Sequence, residues 1–234
     1  MDDIPVATRT LQPRPPRVGL LSRFGLVAFS GLLVAGGLAL AFPAPLLRWL
    51  APTPVQGLAA RPSADGRLLG HFPYAEAPAA QLVEIAPGVA LHRDAAAALL
   101  AMQRAAAADG VKLQVLSGFR SVDLQRRLFF EVKSERNQSA RDRARVSAPP
   151  GFSEHSTGYA VDLGDGAAPQ TNLSTSFADT AAFRWLRAHA ARHHFTLSFP
   201  PRNPQGVSYE PWHWRWEGSA DALSLFEPAQ RLSR

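Results

Sequence analysis

Apolar and polar positions divide the second half of the chain into short alternating elements. Residues 94–108 form an alanine-rich helical stretch, with Asp94 where an N-cap belongs and Asp109-Gly110 where the helix should stop. "VKLQVLS" (111–117) alternates and is rich in β-branched residues, which predicts a strand. After "GFRS" the pattern returns to helical spacing over about 122–136, where Val122, Phe129 and Val132 share one face with Gln125. An inward glutamine needs partners, either as a buried structural amide or as part of a pocket wall. "GYAVDLG" (158–164) predicts a second strand, residues 179–194 a helix, and "FTLSF" and "WHWRW" two further strands. Strands and helices in this order predict an α+β domain, a small antiparallel sheet with flanking helices. No phosphate-cradling glycine loop and no internal repeat appears.

The first part of the chain follows no such pattern. Residues 24–42, "FGLVAFSGLLVAGGLALAF", carry no charge. At about 1.5 Å per residue, a helix of that length just crosses the hydrocarbon core of a bilayer. Arg9, Arg14, Arg17 and Arg23 precede it, and positive flanks stay in the cytoplasm. The expected order is a basic cytoplasmic tail (1–23), a transmembrane anchor (24–42), a Pro/Ala-rich linker (43–70) and a domain over 71–234. That order makes a single-pass membrane protein with its domain outside the cytoplasm. Ala39-Leu40-Ala41 resembles a cleavage site, so a removed signal segment is the alternative. Either reading exports the domain.

Charge modifies this picture little. The chain carries +6 overall, but from residue 51 onward 20 Lys and Arg face 17 Asp and Glu. The nearly balanced body and its export argue against a nucleic-acid partner. Eight Lys and Arg between Arg120 and Arg145, against four acids, read as a solvated helix face and loop. The chain has no cysteine. Disulfides and thiolate sites are thereby excluded, and any metal must be held by His, Asp or Glu.

In "SEHSTGYAVD", His155 precedes a turn at Gly158 and Asp162 follows on a strand. Tyr159, Val161 and Leu163 should point one way, Ala160 and Asp162 the other. A third ligand stands in "YEPWHWRW", where His213 should alternate away from Trp212, Trp214 and Trp216. A core histidine among aromatics is the other reading of that stretch. Glu210 lies three residues earlier, where a base could serve metal-assisted hydrolysis. His189, His193 and His194 lack an H-E-x-x-H arrangement and read as a helix C-terminal turn, where imidazoles suit the dipole.

"SGFRS" with Gln125, then "SEHSTGYAVD", then "YEPWHWRW" together resemble the VanY-type D-alanyl-D-alanine carboxypeptidases. These zinc peptidases share a metal-site fold with the Hedgehog signalling domain. The resemblance spans about residues 81–218. The S-x-H-x-x-G-x-A-x-D motif is met at Ser153, His155, Gly158, Ala160 and Asp162, and E-x-W-H at Glu210, Trp212 and His213. It implies Zn2+ on His155, Asp162 and His213, Glu210 as general base, and Arg120 polarising the scissile carbonyl. It also implies that Ser153, Gln125 and Ser117 bind substrate, the first two at the terminal D-alanine carboxylate. The implied substrates are peptidoglycan peptides ending in D-Ala-D-Ala. A peptidoglycan endopeptidase or dipeptidase on the same zinc site is the nearest alternative. A zinc-stabilised cell-wall-binding module without turnover is the other.

Overall fold

The computed structural model describes residue 55 and residues 57–232. The chain divides into residues 1–51 and a body from Pro52 onward. The expected basic tail and uncharged run lie outside the described residues. Among the described residues, no helix is long and apolar enough to cross a membrane.

The body is α+β, as the alternation of patterns predicts. Two strands, β1 (Leu82–Ala86) and β2 (Val89–His92), form an antiparallel hairpin that the sequence reading missed. The helix α1 (Arg93–Ala108) and the strand β3 (Leu113–Ser117) follow. The helices α2 (Val122–Glu135) and α3 (Ala140–Ala144) come next, then β4 (Ala160–Asp165). The chain ends with helix α4 (Ala181–His189), strands β5 (Phe195–Leu197) and β6 (His213–Trp216), and helix α5 (Ala220–Leu232). The main sheet has the order β3-β4-β6-β5, every pair antiparallel.

One face of this sheet carries the main core. Tyr159, Val161 and Leu163 point into it, as alternation predicts, and meet Trp214 and Trp216 from β6. Helix α1 covers them with Ala95, Ala96, Leu99, Met102 and Ala106, a stripe at helical spacing whose alanines let the helix approach closely. Its N-cap is His92, whose Nδ1 accepts from the Asp94 amide; Asp94 itself lies in the first turn, favourable to the helix dipole. Trp185 on α4 packs in the same core and stacks on His189 and His193, which places those histidines at a helix end away from any metal group.

A second, smaller core lies under α2 and α3, where Phe129, Ala144 and Phe152 bury Leu58 and Leu68. The described part of the expected linker, residues 57–70, therefore packs against the body instead of acting as a free spacer. Burying side chains of this size contributes about 1.5–3 kcal/mol each, enough to hold an irregular segment in place.

A candidate metal centre in a cationic cavity

Sheet register assembles the site. Asp162 on β4 pairs directly with His213 on β6, and Ser117 on β3 pairs with Asp162. Opposed residues on one face lie within side-chain reach, so the three strands set Ser117, Asp162 and His213 in a row. An irregularity between Val115 and Ser117 makes this possible, because without it Leu116 would stand opposite Asp162. His155 enters from the 3-10 turn Glu154–Thr157. That turn ends at Gly158, whose φ of 72° is left-handed and whose added Cβ would stand 2.9 Å from the His92 amide nitrogen.

His155, Asp162 and His213 are all buried, and one ligand atom from each lies within 4.8 Å of the others. Asp162 Oδ2 is 3.2 Å from His155 Nε2, and Asp162 Oδ1 is 3.2 Å from His213 Nδ1. The far nitrogen of each ring is engaged elsewhere. His155 Nδ1 donates to the Gly118 carbonyl at 2.7 Å, and His213 Nε2 meets Glu154 Oε2 at 2.9 Å. These partners leave Nε2 of one ring and Nδ1 of the other facing Asp162, the arrangement in which imidazoles ligate metals. Gly118 can bring its carbonyl so close only without a side chain, since a Cβ there would stand 2.4 Å from the Ala90 carbonyl oxygen.

Burial alone would raise the Asp162 pKa, yet His155 and His213 hold it far below the usual carboxylate range. Burial would likewise lower His213, but Asp162 and Glu154 on either side push it up to about 10. The centre is thus a negatively biased cage that favours a positive charge. Asp162 Oδ1 is buried without a hydrogen-bond partner despite its proximity to His213, which is what a carboxylate oxygen aimed at a cation shows. The donor set and this orphaned oxygen fit a divalent metal.

Glu210 stands beside this group, 3.9 Å from His213 Nδ1. Burial pushes its pKa up to about 7, with Asp162 and Glu154 adding to the rise and His213 opposing it. A carboxylate tuned to this range can both accept and return a proton near neutral pH.

Arg120 follows β3 and is pinned at both ends of its backbone: its amide donates to the His155 carbonyl, and its carbonyl accepts from Ser156 Oγ. Its side chain reaches to 3.9 Å from Asp162 Oδ2. Nη1 donates to Gln125 Oε1 at 2.9 Å and Nη2 to Ser117 Oγ at 3.3 Å. Gln125 is fully buried, and its amide nitrogen donates to Ser147 Oγ and the Ala148 carbonyl. The inward glutamine is therefore a structural amide, and with Ser117 it orients Arg120 from behind. Neither lines the cavity, in contrast to the substrate-binding roles implied by the resemblance; Ser153 does line it.

The cavity holds about 380 Å³ and opens onto all three metal-group residues. Trp212 also lines it from the edge of the main core, whereas Trp214 and Trp216 are buried within that core. Arg136 and Arg143 share the wall with Arg120. The basic stretch 120–145 is thus not simply a solvated face, since Arg143 is buried.

Sequence reasoning missed the support behind His213. Glu154 is 3% exposed and accepts from Ser198 Oγ at 2.6 Å and Arg215 Nη1 at 3.1 Å, while Arg215 lies over the Phe226 ring. A signal existed: Arg215 stands two residues after His213 and so shares its face of β6. It also missed His71, a cavity residue whose Nε2 bonds the Ala144 carbonyl.

Comparison with known proteins shows the family. Residues 88–219 match the family model for VanY, D-alanyl-D-alanine carboxypeptidase. YodJ of Bacillus subtilis (strain 168) is 34% identical over 136 residues, covering 56% of this chain and 48% of YodJ. The chain thus spans about half the length of that relative. The LdcB LD-carboxypeptidase, a structure concerned with peptidoglycan recognition, has 27% identity and a TM-score of 0.57, over 70% of this chain and 81% of LdcB. The vancomycin-resistance D,D-pentapeptidase VanY of a VanB-type cassette, in complex with Zn(II), has 25% identity and a TM-score of 0.52, over 70% of this chain and 94% of that one. With its family match covering more than half its length and its site residues brought together, the chain belongs to the VanY D-alanyl-D-alanine carboxypeptidase family.

Proposed function

We propose that the protein is a zinc-dependent carboxypeptidase that removes the terminal D-alanine from peptidoglycan stem peptides ending in D-Ala-D-Ala. The observation that carries this reading is the buried His155–Asp162–His213 group with Glu210 beside it in an open cavity. Zinc on the three ligands would supply Lewis acidity and lower the pKa of a bound water toward about 7. The protein's own groups do the rest. Glu210 accepts the proton of the attacking water and returns it to the leaving amine. Arg120, oriented by Gln125 and Ser117, presents fixed donors to the oxygen on which charge develops. Ser153 bounds the substrate side of the ligands.

Glu210→Gln tests this reading. It keeps size and hydrogen bonding but cannot take the proton. Zinc content and melting temperature should match wild type, while kcat falls at least about 10²-fold. Loss of zinc from the variant would instead make Glu210 a ligand or a ligand's support. A wild type that binds such peptides without cleaving them would make the domain a binding module.

A second reading, cleavage after an L-configured centre, is favoured by the similarity to an LD-carboxypeptidase at a TM-score of 0.57. Parallel assays of peptides ending in D-Ala-D-Ala and in an L-centre followed by D-Ala separate the two.

Residues 24–42 lie outside the described residues, and the proposal for them rests on their lack of charge and the arginines before them. They anchor the protein in the cell membrane with residues 1–23 inside and the zinc domain on the cell-wall side. The protein should then remain with membranes after a carbonate wash and keep its N-terminus by mass spectrometry. A mature chain starting near Phe42 would make the segment a removed signal.

A further inference from the structure

Residues 88–219 carry the family match, but a stretch ahead of them ties the site's elements together. Phe72 and Tyr74 are buried in the main core, with the Tyr74 ring 5.5 Å from that of Phe226, so this stretch is anchored. Pro73 and Pro78 limit its backbone freedom. Three bonds run from it to segments that carry site residues. The Tyr74 amide donates to the Gly151 carbonyl at 2.9 Å, two residues before Ser153. The Ala77 amide donates to the Ser156 carbonyl at 2.8 Å, next to His155. Glu76 Oε2 accepts from the amide of Val122, the first residue of α2, at 2.6 Å.

Helix α2 does not need Glu76 as a cap. Ser121 Oγ already accepts from the Leu124 amide, and Asp123 already puts negative charge in the first turn. What Glu76 adds is a tie from another part of the chain, through a short charge-assisted bond. The tie matters because of what α2 carries. Gln125 lies one turn after Val122 on the same face, and its Oε1 accepts from Arg120 Nη1 at 2.9 Å. Gln125 is fully buried, so its place follows that of the helix backbone. Ala77, the next residue of the tying stretch, holds Ser156, whose Oγ donates to the Arg120 carbonyl at 2.9 Å. Two consecutive residues thus fix the helix that orients the Arg120 side chain against the turn that holds the Arg120 backbone. We propose that Glu76 is a positioning residue for Arg120, so that the working catalytic unit begins ahead of the family match. This rests on the carboxypeptidase reading, in which Arg120 meets the developing charge, and adds the residue that keeps it in place.

The test uses the zinc-loaded full chain and a stem pentapeptide ending in D-Ala-D-Ala. Glu76→Ala should lower kcat about tenfold with KM and zinc content unchanged, since a donor needed in the transition state is displaced while ground-state binding is kept. Glu76→Gln keeps an acceptor for the Val122 amide and should return kcat to within about twofold of wild type. Arg120→Lys has already lost the fork that needs orienting, so adding Glu76→Ala to it should change kcat by less than about twofold. A Glu76→Ala protein with a lowered melting temperature but wild-type kcat would make the bond a plain helix cap and overturn the proposal. An equal loss of kcat with and without Arg120→Lys would overturn it too. So would a fall in bound zinc, which would route the effect through His155, or a Glu76→Gln protein as slow as Glu76→Ala. A wild type inactive on the pentapeptide would remove the carboxypeptidase reading and this inference with it. An active wild type with unaffected variants would remove the inference alone.

Discussion

Glu154 occupies the position with the most at stake in the site. Its buried carboxylate accepts from His213, Ser198 and Arg215. Burial works to raise its pKa, but Arg215, then His213 and Ser198, bring it down to about 2. Because the folded-state pKa lies below the ordinary glutamate value of 4.5, the stabilisation is fully present above about 4.5 and is lost as pH falls through about 2. Glu154→Gln removes this titration and leaves Arg215 with Glu217 as its remaining carboxylate. At neutral pH the variant should lose about 3 kcal/mol, the lower range for breaking a buried ion pair. Between pH 4.5 and 2 the gap to wild type should narrow. Denaturant melts of the metal-free proteins across that range would check both; a gap that stays constant with pH would show that Glu154 is not held ionised by Arg215. The variant should also bind zinc more weakly, since His213 loses the partner that fixes its ring.

At the scale of elements, the sequence revealed most where chemistry and local pattern coincide. His155, Asp162, His213 and Glu210 stand in compact motifs on a turn, a strand and a strand start, and β4 and β6 were legible from alternation alone. The hairpin of β1 and β2 was not read, although Pro87-Gly88 between two apolar runs, with Gly88 at a φ of 73°, is a turn signal. Helix α5 escaped notice despite Ser219, whose hydroxyl accepts from the Ala222 amide and caps it. Other features had no local signal at all. Whether Gln125 faces a pocket or a wall depends on Ser147 and Ala148, more than twenty residues away. Whether an arginine between residues 120 and 145 is solvated depends on which side of α3 meets the cavity, and a helix of five residues is too short to show a face. The irregularity that turns Ser117 toward Asp162 is a property of strand pairing, which periodicity within one strand does not encode.

At the scale of the whole molecule, the three ligands join distant parts of the chain. Asp162 and His213 are separated by α4, β5 and the loop that follows, about 50 residues, and by chain-entropy reasoning a tie across a loop of that length is worth about 4 kcal/mol. Exported domains commonly obtain such ties from disulfides, and this chain has no cysteine with which to make one. A metal on His155, Asp162 and His213 would act as the missing cross-link, in addition to its chemistry. Chelation should then lower the melting temperature as well as abolish activity, and the midpoint should climb with the logarithm of free zinc. A melting temperature indifferent to zinc would separate the metal from the fold. Unlike a disulfide, this bond is made from a diffusible part, so the lifetime of the domain would follow the zinc supply of its surroundings. Starvation for the metal would then deplete the protein itself, through unfolding and proteolysis, and not merely silence it.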